Sequence, residues 1–141
     1  FTEPAPQSVL AAQQEWIDAC YSSDDAEEIV ERLRTVGGEA VDVAETIAAK
    51  SPTAVKVALA SLRRAHGLSL SEVLKQEYRV GLRFLDGPDF REGIRAQVVD
   101  KDRTPHWQPA SLAEVSREDV EAYFAPLGER ELKLSKERDN V

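Results

Sequence analysis

Methionine is absent from all 141 residues, so Phe1 is no initiator and processing or excision upstream of it is expected. The opening Thr2-Glu3-Pro4-Ala5-Pro6 has neither the apolar core of a secretory signal nor the Arg/Ser pattern of an organellar leader. Cys20 is the single cysteine, which excludes an internal disulfide and a thiolate metal cluster and fits a reducing compartment. No apolar run approaches the roughly 18 residues a membrane-spanning helix needs. Basic residues are outnumbered, 18 Lys and Arg against 26 Asp and Glu. General nucleic-acid binding needs a basic surface and is excluded, although a local basic pocket for a phosphorylated cofactor is not. Period-two alternation between turn residues, the mark of strands, is nearly missing. Chemistry-bearing motifs are scarce as well. His66 and His106 lie far apart, with no His-x-x-x-His or Cys-x-x-Cys spacing, so no metal site is expected. No Gly-x-Ser-x-Gly elbow occurs, and Gly37-Gly38 is an isolated pair that reads as a helix stop.

What is present is helix chemistry in a composition suited to one globular domain, 42% hydrophobic and 31% charged. Arginine outnumbers lysine 12 to 6 and alanine is abundant, which points to a GC-rich bacterial gene and, with the lone cysteine, to a cytoplasmic protein. An all-α fold of about seven helices is expected. The first runs from Ser8 to about Tyr21, burying Val9, Trp16, Ile17 and Cys20. A second covers Asp24–Val36, with Asp24 and Glu27 as a variant capping box and Ala26, Ile29, Val30 and Leu33 as its stripe. A third, Glu39 to Lys50, buries Ala40, Ala44, Ile47 and Ala48. The fourth is the best punctuated: Ser51 caps it, Pro52 opens its first turn and Gly67 lies past its end. Val55, Leu59 and Leu62 form one stripe there, and Ala54, Ala58, Ser61 and Ala65 a small-residue one. The fifth, Ser69 to Leu85, is apolar most of the way round (Leu70, Val73, Leu74, Tyr78, Val80, Leu82, Phe84 and Leu85) and should be central. After the turn Asp86-Gly87-Pro88, a sixth spans Asp89–Val99 with Phe90, Ile94 and Val98 on one face. A last helix, Ser116 to about Phe124, is capped by Ser116 and Asp119, and the terminal Ser135–Val141 should fray.

Two sets of polar residues stand out. Glu77 sits in the largely apolar fifth helix, and the expectation is a buried or half-buried carboxylate partnered by a nearby arginine rather than a catalytic acid or base. From Asp100 to Pro109 the chain is charged and broken by prolines, and the large indole of Trp107 argues that this loop is ordered. Within it Lys101 and Arg103 place positive charge just past the electronegative end of a helix.

The ordered set Ser-Pro-Thr-Ala-Val (51–55), Glu77-Tyr78-Arg79-Val80-Gly81-Leu82, Asp89-Phe90-Arg91-Glu92-Gly93, Asp100-Lys101-Asp102 and Pro105-His106-Trp107 resembles the C-terminal region of the enoyl-CoA hydratase/isomerase (crotonase) superfamily. The wording from Asp100 to Phe124 is most similar to its 3-hydroxyisobutyryl-CoA hydrolase branch. The likeness covers residues 51–127, with 1–50 as acidic leading helices from a core that precedes Phe1 and 128–141 as a frayed tail. It implies hydrolysis of a short 3-hydroxyacyl-CoA thioester in fatty acid or valine breakdown, with coenzyme A entering as part of the substrate and no covalently bound cofactor. The oxyanion hole and catalytic carboxylates of such enzymes belong to that core, so no catalytic residue is carried onto this chain, and the fragment alone should be inactive. In the related hydratases a basic residue after the Glu-Gly helix lies near the CoA phosphates. Lys101 is the matching position and Arg103 its neighbour, although alignment needs a one-residue adjustment and Asp102 stands where a base is usual. The implied partners are the core, the acyl-CoA substrate and further subunits of a homo-oligomer, with neither nucleic acid nor membrane. A hydratase or isomerase of the same superfamily is the nearest alternative. A free-standing helical interaction module is the other, and it predicts no exposed apolar face, where a core-bound fragment predicts a large one.

Overall fold

The computed structural model describes residues 8–134, and among them there is no strand. Eight α-helices, one π turn and two 3₁₀ turns follow in order. The all-α expectation holds, and the count exceeds seven because the first expected helix is two. The chain divides into two compact units, Phe1–Lys50 and Ser51–Val141.

In the first unit, α1 (Val9–Ala12) and α2 (Gln14–Cys20) replace the single helix expected from Ser8 to Tyr21. The break falls at Gln13, whose backbone leaves the helical region (φ −104°, ψ 0°) and whose side-chain amide donates to Glu39. Val9 is consequently exposed, Trp16 and Ile17 are half-buried, and Cys20 alone is fully buried. α3 (Ala26–Val36) is capped by Asp25, one residue later than expected, which accepts from the Glu27 amide at 2.8 Å. Its stripe is the one the spacing predicts, with Ala26, Ile29, Val30 and Leu33 all buried. Gly37 and Gly38 both take positive φ (80° and 58°), a conformation open to glycine at no steric cost. α4 (Glu39–Ala48) then packs back on α3, and the buried small residues Ala40 and Ala44 suit that close approach. Ile47 is half-buried, whereas Ala48 is exposed because the helix ends there.

In the second unit, α5 (Pro52–Ala65) begins where Ser51 Oγ accepts from the Ala54 amide at 3.1 Å, with Pro52 at the first helical position. Neither expected stripe is the buried one. Thr53, Val57 and Ser61 face inward, while Leu62 is 74% exposed. α6 (Leu70–Asp86) starts in a capping box between Ser69 and Glu72. Instead of being buried on several sides it buries only Gln76 and Val80; Leu70, Leu74, Tyr78 and Leu85 are exposed along it. α7 (Pro88–Ile94) continues into a π turn at Arg95–Val99 where a single helix to Val99 is expected, and Phe90, Ile94 and Val98 are likewise exposed while Asp89 and Ala96 are buried.

A 3₁₀ turn at Leu112–Glu114 leads to α8 (Arg117–Ala122), whose Ser116–Asp119 capping box agrees with the sequence reading. Val57, Val80, Val115, Val120 and Phe124 form the core here, with Ala60, Phe84 and Tyr123 packed on it. The Phe84 and Tyr123 rings meet at 4.6 Å between centroids, a tilted aromatic pair. Cations of α5 and α6 tie the last segment down. Arg64 pairs with Glu121 and lies 4.0 Å above the Phe124 ring. Arg83 donates to the Ala122 carbonyl at the end of α8 and to the Ala125 carbonyl just past it. Arg79 pairs with Glu131 at 2.8 Å, just past a 3₁₀ turn at Gly128–Arg130. The expected fraying of Ser135–Val141 lies outside the described residues.

Candidate functional site

The structure gathers the charged loop after α7 around one guanidinium. The π turn closes with the Asp100 amide donating to the Arg95 carbonyl at 2.8 Å, and the Arg103 amide returns to the Ala96 carbonyl at 3.0 Å. Carbonyls orphaned at the helix end are thereby satisfied. This fold-back puts Lys101 (φ 58°) and Arg103 (φ 57°) in the left-handed region. For residues with a β-carbon that costs on the order of 1 kcal/mol each, so the surroundings must hold them there.

Arg95 supplies much of that hold. Its Nε and Nη2 fork onto the Glu92 carboxylate at 2.9 and 2.7 Å, one turn earlier on the same helix. Its Nη1 donates to Asp100 at 2.8 Å and Asp102 at 2.6 Å, and its Nη2 also reaches the Thr104 carbonyl at 3.2 Å. Glu92 in turn accepts from the His106 amide at 2.7 Å, and Asp102 from the Thr104 amide at 2.9 Å. The Arg95 and His106 hydrogen bonds bring the Glu92 carboxyl down from 4.5 to about 2. Asp102 is lowered chiefly by Arg95, and the guanidinium is raised chiefly by Glu92 and then the two aspartates.

The far end of the loop rests on the start of α7. Buried Asp89 accepts from the Gln108 amide at 2.9 Å with one carboxylate oxygen and from the Ser51 hydroxyl with the other. Ser51 is also the cap of α5, so one carboxylate joins the beginnings of two helices to the loop. The Trp107 ring lies 3.5 Å from where a β-carbon on Gly93 would stand, and the Gln108–Pro109 peptide is cis. The loop is ordered, as its indole argues.

Lys101 and Arg103, the residues singled out for a phosphate contact, therefore lie in one loop and are exposed. Their side chains make no hydrogen bond or ion pair among the described residues. The acidic neighbours that would cancel them, Asp100 and Asp102, are engaged by Arg95. Glu77 is elsewhere. It is exposed on α6 and accepts from the Ser61 hydroxyl, which corrects the expectation of a buried or half-buried carboxylate paired with arginine. Ser61 also binds buried Gln76, so the triplet joins α5 to α6. Arg79, the neighbouring arginine, goes to Glu131 instead. Sequence reasoning missed Arg95 and Asp89. The signal for Arg95 was present, since Glu92 lies three residues before it on a helix and acids recur at alternate positions after it.

Comparison with known proteins gives a consistent picture. Residues 1–124 match the family model described as enoyl-CoA hydratase/isomerase. The chain is 43% identical over 127 residues to the mitochondrial 3-hydroxyisobutyryl-CoA hydrolase of Danio rerio, which covers 89% of this chain and 33% of that protein. With the Mus musculus protein of the same name it shares 42% over 119 residues, 84% of this chain and 31% of that one. Among solved structures, a carnitinyl-CoA dehydratase from Mycobacterium thermoresistibile superposes with a TM-score of 0.88 at 47% identity, covering 96% of this chain and 39% of that one. The chain thus spans about a third of the length of the curated relatives it matches.

Proposed function

Because this chain belongs to the enoyl-CoA hydratase/isomerase family, we propose that it is the C-terminal helical part of an acyl-CoA-processing enzyme, and within the family of a hydrolase of short 3-hydroxyacyl-CoA thioesters such as 3-hydroxyisobutyryl-CoA. The observation that carries this reading is the 43% identity to a protein named for that hydrolysis, of which the chain spans a third. The apolar residues left open along α6, α7 and the π turn support the fragment reading, since Leu70, Leu74, Phe90 and Val98 form the exposed apolar face that a self-contained module is expected to lack. In this reading they seat the helices on the part of the enzyme that holds the oxyanion hole and catalytic carboxylates, and in an oligomer on neighbouring subunits. Lys101 and Arg103 contribute a contact to the CoA phosphates, an exposed cationic pair whose acidic neighbours are already engaged. Cytoplasmic residence is part of the same reading, supported by the single free cysteine and the arginine- and alanine-rich composition, although the hydrolase relatives compared above are named as mitochondrial.

The likeness to a carnitinyl-CoA dehydratase at 47% identity favours a second reading, dehydration or hydration of an acyl-CoA. Assaying the protein as its gene encodes it decides between them. Release of free CoA thiol from 3-hydroxyisobutyryl-CoA is the expected outcome. Hydration of a 2-enoyl-CoA without thiol release refutes the hydrolase reading, and robust turnover by residues 1–141 alone refutes the fragment reading.

A further inference from the structure

The geometry points to Arg95 as a positioning residue that turns the loop after α7 into a two-cation anion site, engaging its two aspartates so that Lys101 and Arg103 are left to meet a phosphate-bearing ligand. This rests on the reading of Lys101 and Arg103 as phosphate contacts given above. The observation behind it is an alternation. Residues 100, 102 and 104 all accept from the Arg95 guanidinium, through two carboxylates and a carbonyl. The intervening residues 101 and 103 are both basic, both exposed and both in the left-handed region. Arg95 answers Glu92, Asp100 and Asp102 with one positive charge, so removing it leaves Lys101 and Arg103 among three carboxylates and weakens their attraction for an anion. The Arg103 amide on the Ala96 carbonyl and the Thr104 amide on Asp102 also hold this stretch, but Arg95 is the one side chain among the described residues that grips residues 100, 102 and 104 together. Arg95 itself is too engaged to serve as a ligand. Its fork is occupied by Glu92, and its remaining donors by the loop.

Lysine cannot reproduce this arrangement, because a point charge lacks the planar fork that spans Glu92 and the loop together. The test uses the protein as its gene encodes it, in four forms: unaltered, Arg95→Gln, Lys101→Ala/Arg103→Ala, and all three changes combined, with Arg95→Lys as the conservative control. Limited trypsin digestion reads the loop directly, because Lys101 and Arg103 are themselves tryptic sites. Arg95→Gln should speed cleavage there roughly tenfold, with other sites and the melting temperature little changed, and Arg95→Lys should fall between. Calorimetric titration with CoA, against pantetheine as the phosphate-free probe, reads the ligand. Arg95→Gln should weaken CoA roughly fivefold and pantetheine not at all, and should weaken CoA no further once Lys101 and Arg103 are alanine. Unchanged cleavage at Lys101 and Arg103 in Arg95→Gln overturns the positioning role, as does an equal loss of CoA affinity in the alanine background. If Lys101→Ala/Arg103→Ala leaves CoA binding intact while Arg95→Gln still frees the loop, the phosphate contact proposed for the two cations fails and Arg95 remains the residue that orders the loop.

Discussion

Replacing Asp89 tests the architecture most directly, because one buried carboxylate, 7% exposed, fastens α7 to the cap of α5 and to the end of the loop. Asp89→Ala removes the acceptor for the Ser51 hydroxyl and the Gln108 amide together. Hydrogen bonds to a charged group contribute about 1.5–3 kcal/mol each, and two that share a carboxylate are not additive, so a loss of about 3 kcal/mol is expected. Asp89→Asn should cost only about 1 kcal/mol. The amide oxygen can still accept from Gln108, and the amide NH2 can donate to Ser51 Oγ, which retains a lone pair while accepting from Ala54. Urea denaturation followed by far-ultraviolet circular dichroism measures the two losses, and amide exchange at Gln108 localises them. Ser51→Ala should remove about 1 kcal/mol of cap and couple to Asp89→Asn by about 0.5–3 kcal/mol in a double-mutant cycle. An alanine variant no less stable than the asparagine one would show that Asp89 sits at this junction without holding it.

Three further outcomes follow from the same geometry. Leu33→Ala truncates the largest fully buried side chain of the first unit and should cost about 3 kcal/mol in the same denaturation assay; a loss under about 1 kcal/mol contradicts the packing described for α3. Glu92 and Asp102 have folded values below their unfolded ones, so their contribution is complete above the ordinary carboxyl range and is lost as the pH falls, for Glu92 between 4.5 and about 2. Protection of the His106 amide, measured by hydrogen exchange, should vanish across that window and that of the Thr104 amide should fall as Asp102 protonates, and His106 protection that persists at the acid end argues against the network. Gly93→Ala should stabilise by about 0.5–1 kcal/mol, because a β-carbon there meets the indole at an ordinary contact distance of 3.5 Å and the helix gains a better former. Gly93→Leu should instead cost about 1–3 kcal/mol by displacing Trp107, and thermal melts of the two variants separate the effects.

Local chemistry was legible and long-range partnership was not. Ser51-Pro52 and Ser116 with Asp119 announce helix starts because a cap is completed within one turn. The stripe of α3 was readable because its hydrophobic residues occupy a single face, leaving one orientation to bury. α5 and α6 carry apolar residues around most of their circumference, so spacing alone leaves several faces eligible, and the one chosen depends on what Val115, Val120 and Phe124 bring from far along the chain. That is why Thr53, Val57 and Ser61 point inward while Leu62 and Leu70 do not. The break at Gln13 was hidden for a similar reason, since its side chain answers to Glu39. Lys101 and Arg103 were picked out by charge and resemblance. Arg95, the group that organises their loop, drew no reading from the sequence, because its acceptors converge only in three dimensions.

The alternation between Asp100 and Thr104 makes the loop a matter of parity. Substituting one basic residue changes the surface charge by one step, but inserting or deleting a single residue before Asp100 would carry Asp100 and Asp102 out of register with the Arg95 guanidinium. Spacing, as much as composition, therefore decides whether the two carboxylates of this corner are gripped by Arg95 or stand free beside Lys101 and Arg103.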